Sequence, residues 1–156
     1  MSETVNFHGT GVVLDDIGVL LRGPSGAGKS LLALALIERW TLKGRSASLV
    51  ADDQVHIAIE GDRLVMSTPP AIAGLIELRG RGVIERPYRE RSQLHLIVDL
   101  VDDYERMPEE SAFRTALLDV DIARAPVPKA GLTGLEHQVF LVAEAISALD
   151  AQVVRP

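Results

Sequence analysis

Cysteine is absent from the 156 residues, which removes disulfides and thiolate-held metals from consideration and fits a reducing compartment. Basic residues are also scarce. The 16 Lys and Arg set against 22 Asp and Glu leave a net charge of -6, which argues against a nucleic-acid partner gripped by broad phosphate neutralisation. Long apolar runs are missing too: the longest unbroken one, Leu31 to Ile37, falls far short of a membrane span. The first residues, Met1-Ser2-Glu3-Thr4-Val5-Asn6, have neither a basic n-region nor an apolar h-region. These absences predict no membrane contact, no export signal or anchor, and a cytoplasmic location.

What is present reads as an ordinary folded chain. Apolar residues at 47% and charged residues at 24% are far from a disordered composition, and the length suits a single domain over residues 1–156. Val12-Val13-Leu14 and Gly18-Val19-Leu20-Leu21 read as two strands parted by Asp15-Asp16. Lys29 to about Trp40 reads as a mostly buried helix that Gly44 stops. Ala47–Ala51 and Val55–Ile59 suit strands, and Gly61-Asp62 turns the second into Arg63–Met66. After the break at Pro69-Pro70, the apolar run Ala71–Leu78 is expected to form a short helix. Leu94–Val101 and Ala116–Ala125 are expected as single strands with a polar loop, Asp102–Ser111, following the first. Thr133–Leu149 places Leu135, Val139, Val142, Ala143 and Ile146 at helical spacing. The expected class is α/β with antiparallel hairpins mixed in.

Gly23-Pro24-Ser25-Gly26-Ala27-Gly28-Lys29-Ser30 matches G-x-x-x-x-G-K-[ST] in full, after an expected strand and before an expected helix. Gly23, Gly26 and Gly28 let successive backbone N–H groups converge on phosphates, and the helix adds its positive N-terminus. Lys29 is expected to reach the β- and γ-phosphate oxygens of a bound nucleotide, and the Ser30 hydroxyl to hold Mg²⁺. A bare glycine-rich turn is the competing reading. The cradle by itself does not choose between an NTPase, a small-molecule kinase and a protein kinase.

Further along, Asp52-Asp53 ends an apolar strand, where a phosphate-loop protein carries its metal-linked or base-supplying acid. On a strand the two side chains would face opposite ways and take separate roles. Ile76-Glu77-Leu78-Arg79-Gly80-Arg81-Gly82 mixes charge and glycine, offering a carboxylate for a metal and close backbone approach. Arg79, Arg81, Arg86, Arg89 and Arg91 follow one another closely, a basic patch suited to phosphate or an acidic partner.

The order of these motifs resembles the catalytic C-terminal domain of HPr kinase/phosphorylase, the bacterial enzyme that phosphorylates a serine of the phosphocarrier HPr in the phosphotransferase system. The resemblance runs from about His8 to Ala148. It rests on His8-Gly9, the phosphate loop, Ala51-Asp52-Asp53, Pro69-Pro70, Glu77-Leu78-Arg79-Gly80-Arg81-Gly82-Val83-Ile84, Tyr104-Glu105-Arg106 and Pro126-Val127-Pro128-Lys129. It implies a P-loop kinase-like domain with a mixed sheet and flanking helices. By resemblance Asp52 is the general base on the acceptor serine and the acid in reverse, Asp53 assists, and Ser30 and Glu77 bind Mg²⁺. His8, Arg79, Arg106 and Lys129 fall on family positions near the transferred phosphate or the partner. The resemblance also implies ATP as donor, an HPr-like carrier as partner, and phosphorolysis of phosphoserine by inorganic phosphate to give pyrophosphate. A homo-oligomer is implied as well, since the family typically forms hexamers. Fuller members carry an additional N-terminal domain, so the chain resembles the short forms made of the catalytic core alone. Pro24 stands where Asp is common, Leu31 where Glu often follows, and the stretch from Gly82 to Leu94 is short. Two other readings stay open: a small-molecule P-loop kinase or NTPase, and a non-catalytic nucleotide or phosphate sensor.

Overall fold

A computed structural model describes residues 3–154. Its centre is a six-stranded mixed sheet formed by β2 (Thr10–Leu14), β3 (Ile17–Arg22), β4 (Ala47–Ala51), β10 (Leu96–Val101), β11 (Arg114–Leu117) and β12 (Val120–Pro128), in the order β11-β12-β10-β3-β2-β4. β3, β10 and β12 run parallel, while β2 lies antiparallel to both β3 and β4. One face carries α1 (Lys29–Leu42) and α2 (Leu135–Val154). The other carries an antiparallel sheet built from β1 (Val5–His8), β5 (Gln54–Glu60), β6 (Arg63–Ser67) and β9 (Arg91–Gln93), in the order β1-β5-β6-β9. β7 (Leu75–Leu78) and β8 (Gly82–Glu85) make a separate hairpin.

Three layers make two cores, and the strand sequences show why. Strands covered on both faces bury every residue and read as unbroken apolar runs rather than alternating ones. All five residues of β2 are accordingly buried. Val12, Leu14, Val19, Leu21, Leu49, Leu96 and Val98 meet Leu32, Leu36 and Trp40 of α1 and Val139, Val142 and Ile146 of α2. Their neighbours Val13, Leu20, Val50 and Ile97 meet Val55, Ile57, Leu64 and Met66 of the antiparallel sheet. The two sheets approach closely at Gly18, where an added Cβ would lie 1.9 Å from the Gln93 carbonyl oxygen. Both Gly18 backbone groups are also engaged, its N–H donating to His95 Nδ1 at 3.0 Å and its carbonyl accepting from His95 N–H at 2.8 Å. Gly18→Ala therefore has no room to relax and is expected to cost about 3 kcal/mol of stability. Urea unfolding followed by circular dichroism checks this, and an unchanged midpoint would show that the β9–β10 connection yields freely.

Turn chemistry accounts for most of the boundaries. Asp15 and Asp16 both adopt positive φ, 52° and 66°, in the two-residue turn between Leu14 and Ile17, as a primed hairpin turn requires. The helix stop is as expected. Gly44 at φ 74° donates to Thr41 O, and Arg45 N–H donates to Trp40 O, a Schellman closure of α1.

Two expectations are corrected. Ala71–Leu78 is not a helix: a 3-10 turn over Pro70–Ile72 leads through Gly74, at φ 77°, into strand β7, which pairs with β8. A segment as short as Leu75-Ile76-Glu77-Leu78 fits either structure, and hairpin pairing decides for the strand. Ala116–Ala125 is likewise not one strand but two, β11 and β12, folded back at Leu118 and Asp119 with φ of 49° and 63°. Leu118 hides the turn because it is apolar and packs against the second core.

Candidate active site

The phosphate loop leaves the C-terminal end of β3, the end at which open α/β sheets place their ligands. Arg22, the residue before the loop, is pinned there: its guanidinium donates twice to Asp99 of β10, at 2.8 and 2.9 Å. Arg124 of β12 donates to the same carboxylate at 2.6 Å. Burial works to raise the Asp99 carboxyl, but the hydrogen bonds and charges of Arg22 and Arg124 outweigh it and hold it below the usual carboxylate value. Three strands are thus tied together just below the loop.

Gly28, at φ 98°, opens α1, and no side chain caps that helix end. Its first-turn N–H groups therefore remain for an anion. An added Cβ at Gly28 would also sit 3.0 Å from Ala130 Cβ, so glycine is required both for conformation and for this close approach. Ala27, itself buried, receives the Ala130 N–H on its carbonyl at 3.1 Å. The Lys29 side chain folds over the loop, Nζ donating to Gly23 O at 2.7 Å and Pro24 O at 3.1 Å. Burial is the largest influence on its ammonium and pushes its pKa below the ordinary lysine value; Asp53 and Asp52 oppose that shift, and Arg79 adds to it.

A cavity of about 470 Å³ opens over this loop, lined by His8, Thr10, Ser25, Gly26, Gly28, Lys29, Ser30, Leu31, Asp52, Asp53, Glu77, Leu78, Arg79 and Ala130. Asp52 is its best-held acid. Although 8% exposed, the carboxylate accepts three hydrogen bonds: Thr10 Oγ1 and Ser30 Oγ both donate to Oδ1 at 2.8 Å, and Glu77 N–H donates to Oδ2 at 3.0 Å. Asp53 does not face the opposite way, as a continued strand would require. Strand β4 ends at Ala51, and Asp53 turns to φ 72°, which brings it into the same cavity. Its carboxylate lies 3.2 Å from His8 Nε2, and its carbonyl accepts the Gly9 N–H at 3.0 Å.

The cavity therefore gathers Lys29, Ser30, Asp52, Asp53, His8, Glu77 and Arg79, together with Ser25, Gly26 and Gly28 of the loop. Gly23, Pro24 and Ala27 shape the loop from behind. Two expected site residues lie elsewhere. Lys129 is paired with Asp102 at 3.0 Å, and Arg106 lines a second cavity of about 270 Å³ with Tyr104, Phe113, Arg124 and His137. The expected arginine patch disperses as well: Arg89 pairs with Asp16 at 2.9 Å and Arg91 with Glu60 at 2.6 Å, leaving Arg79 as its member on the active cavity. The run does not make a patch because its members fall on different elements: Arg79 and Arg81 in the β7–β8 turn, Arg86 and Arg89 between β8 and β9, and Arg91 at the start of β9.

The β7–β8 loop, Arg79-Gly80-Arg81, accounts for the position of Arg79 and Glu77. Gly80 takes φ 92° and Arg81 N–H closes the turn on Leu78 O at 2.9 Å, so the hairpin end reaches over the phosphate loop. Ser30 and Glu77 both line the cavity, and a hydroxyl and a carboxylate are hard oxygen donors of the kind that suits Mg²⁺. Thr10 is a site residue that sequence reasoning missed. Its one signal is a polar residue opening a strand that is otherwise apolar or glycine.

Comparison with known proteins identifies the family. The family model described as the HPr Serine kinase C-terminal domain matches residues 1–146. An HPr kinase/phosphorylase of Prosthecochloris aestuarii is 34% identical over 140 residues, covering 81% of this chain and 39% of that protein. One from Geobacillus kaustophilus is 34% identical over 141 residues, covering 82% and 43% respectively. The chain thus spans about two-fifths of the length of these curated relatives. The solved structure of the Hpr(Ser) kinase/phosphatase from Coxiella burnetii superposes with a TM-score of 0.74 at 26% identity, over 96% of this chain and 98% of that one. With nearly its whole length matched, this chain belongs to the HPr serine kinase C-terminal domain family.

Proposed function

We propose that the protein transfers the γ-phosphoryl group of ATP to a serine hydroxyl of an HPr-like phosphocarrier and, in reverse, uses inorganic phosphate to remove it as pyrophosphate. The observation that carries this reading is the meeting of a complete phosphate loop with the buried acid Asp52 in one cavity. Phosphoryl transfer of this kind asks the protein for position and charge rather than for covalent chemistry. The loop amides and the α1 N-terminus cradle the phosphates, and Lys29 and Arg79 face the charge that spreads over the transferred group. Asp52 takes the proton as the serine oxygen bonds to phosphorus and the bond to ADP breaks. Phosphorolysis runs the same path with phosphate as acceptor, Asp52 returning the proton to the serine oxygen. Ser30 and Glu77 are the residues that would hold Mg²⁺, which supplies charge neutralisation on the phosphate oxygens. Asp53 and His8 flank the acceptor side, where their pairing orients both.

Arg106 and Lys129 belong to this reading as residues that meet the carrier from outside the cavity. Cytoplasmic residence and a homo-oligomer, a hexamer by family likeness, are part of the same proposal. Among the described residues no helix is long and apolar enough to cross a membrane. Incubating the protein with ATP, Mg²⁺ and a purified HPr-like carrier, and detecting phosphoserine by mass spectrometry, is the direct test. Modification of one carrier serine is expected; a protein that binds ATP but modifies no carrier, while phosphorylating a small metabolite, would move it to the small-molecule kinases.

A further inference from the structure

Thr10 is wholly buried at the head of β2. A hydroxyl at such a site needs a partner, and Thr10 Oγ1 finds it in Asp52 Oδ1 at 2.8 Å. Strand register explains the meeting. Between β2 and β4, Val12 pairs with Leu49 but Gly11 pairs with Ala51, so β4 carries one extra residue, Val50. That bulge advances the β4 register by one. Carried one step further along the two strands, it sets Asp52 opposite Thr10; without the bulge Ala51 would stand there and Asp52 would face Gly9. Bulges recur beside active sites because they re-aim one side chain in this way.

The hydrogen bonds on the carboxylate are uneven. A carboxylate oxygen offers about two lone-pair sites. On Oδ1 both are taken, by Thr10 Oγ1 and Ser30 Oγ, whereas Oδ2 receives only the Glu77 N–H. We infer that Thr10 is a positioning residue that holds Asp52 with Oδ1 turned inward, so that the acceptor serine delivers its proton to Oδ2. This rests on the reading of Asp52 as the base. Thr10 suits the task better than Ser30 alone, because it sits on a strand hydrogen-bonded on both sides, whereas Ser30 lies in the first turn of α1 beside the phosphate loop and is the hydroxyl proposed to hold Mg²⁺.

Two variants separate positioning from packing. Thr10→Val keeps the branched shape and loses the hydroxyl; Thr10→Ser keeps the hydroxyl and loses the methyl. Positioning predicts that Thr10→Val lowers kcat for phosphoserine formation by about 10- to 100-fold, with KM for ATP changed by less than about threefold, and that Thr10→Ser restores most of the rate. Packing predicts the reverse order, with Thr10→Val close to wild type. The carboxyl ¹³C resonance of Asp52, read in labelled wild type and both variants, provides a measure independent of any acceptor. It should move in Thr10→Val and return in Thr10→Ser. A resonance or a rate in Thr10→Val that matches the wild type overturns the assignment. If the wild type modifies no carrier, the kinase reading falls by itself, and the resonance still decides whether Thr10 holds Asp52.

Discussion

Asp52→Asn is expected to lower phosphoserine formation by about 10²- to 10⁴-fold, the usual worth of a positioned general base, while ATP binding changes only a few-fold. The amide is the same size as the carboxylate, and the site can satisfy it. With its oxygen turned to the Glu77 N–H and its nitrogen donating to the Thr10 and Ser30 hydroxyls, the amide keeps all three contacts, and the cost is the buried Thr10 O–H, which loses its acceptor. Stability should therefore shift by only about 1 kcal/mol. What the amide cannot do is accept a proton. Rates with carrier, nucleotide affinity by calorimetry and a thermal melt together separate the loss of a base from loss of the fold. If the Asp52→Asn variant transfers phosphate nearly as fast as wild type, Asp52 is a strut between Thr10, Ser30 and Glu77, and the base must be sought at Asp53.

That the sequence points to the Asp52-Asp53 pair follows from where it sits, while only the family resemblance singles out Asp52 as the base. A strand that ends in carboxylates after a complete phosphate loop is a local pattern, and the loop itself is written in consecutive residues, Gly23 to Ser30. The layers are legible for a related reason: Val12–Leu14 and Gly18–Leu21 are apolar or glycine at every position, as strands covered on both faces must be. What escapes depends on partners distant in sequence or on single dihedrals. Leu75–Leu78 is a strand because Gly82–Glu85 pairs with it, and Asp53 shares a cavity with Asp52 through one backbone turn. Thr10 escapes because its role is fixed by a one-residue bulge at Val50, in a strand far along the chain. The arginines mislead in the opposite direction, since closeness in sequence does not reveal that Asp16 and Glu60 claim two of them.

Lys29 carries the second large effect, and its burial makes the effect depend on pH. Lys29→Ala should weaken ATP binding by about 10²-fold or more, since each hydrogen bond from a charged donor is worth about 1.5–3 kcal/mol. Lys29 is 7% exposed and, burial prevailing over the pull of Asp53 and Asp52, its ammonium gives up its proton more readily than an ordinary lysine at 10.5. Phosphate requires the charged form. ATP affinity should accordingly fall as pH rises, beginning below the range in which an exposed lysine would lose its charge. Stability of the nucleotide-free protein should move the other way: over that interval the unfolded chain binds more protons at Lys29 than the folded one, so unfolding becomes harder as pH increases. Lys29→Met, which does not titrate, should lack both trends. Affinity by calorimetry and thermal midpoints, measured across the same alkaline series for both proteins, test the pair of slopes. A wild-type affinity that stays level over that range, or a difference between wild type and Lys29→Met that does not change with pH, would show that the lysine is charged throughout and that burial does not govern it.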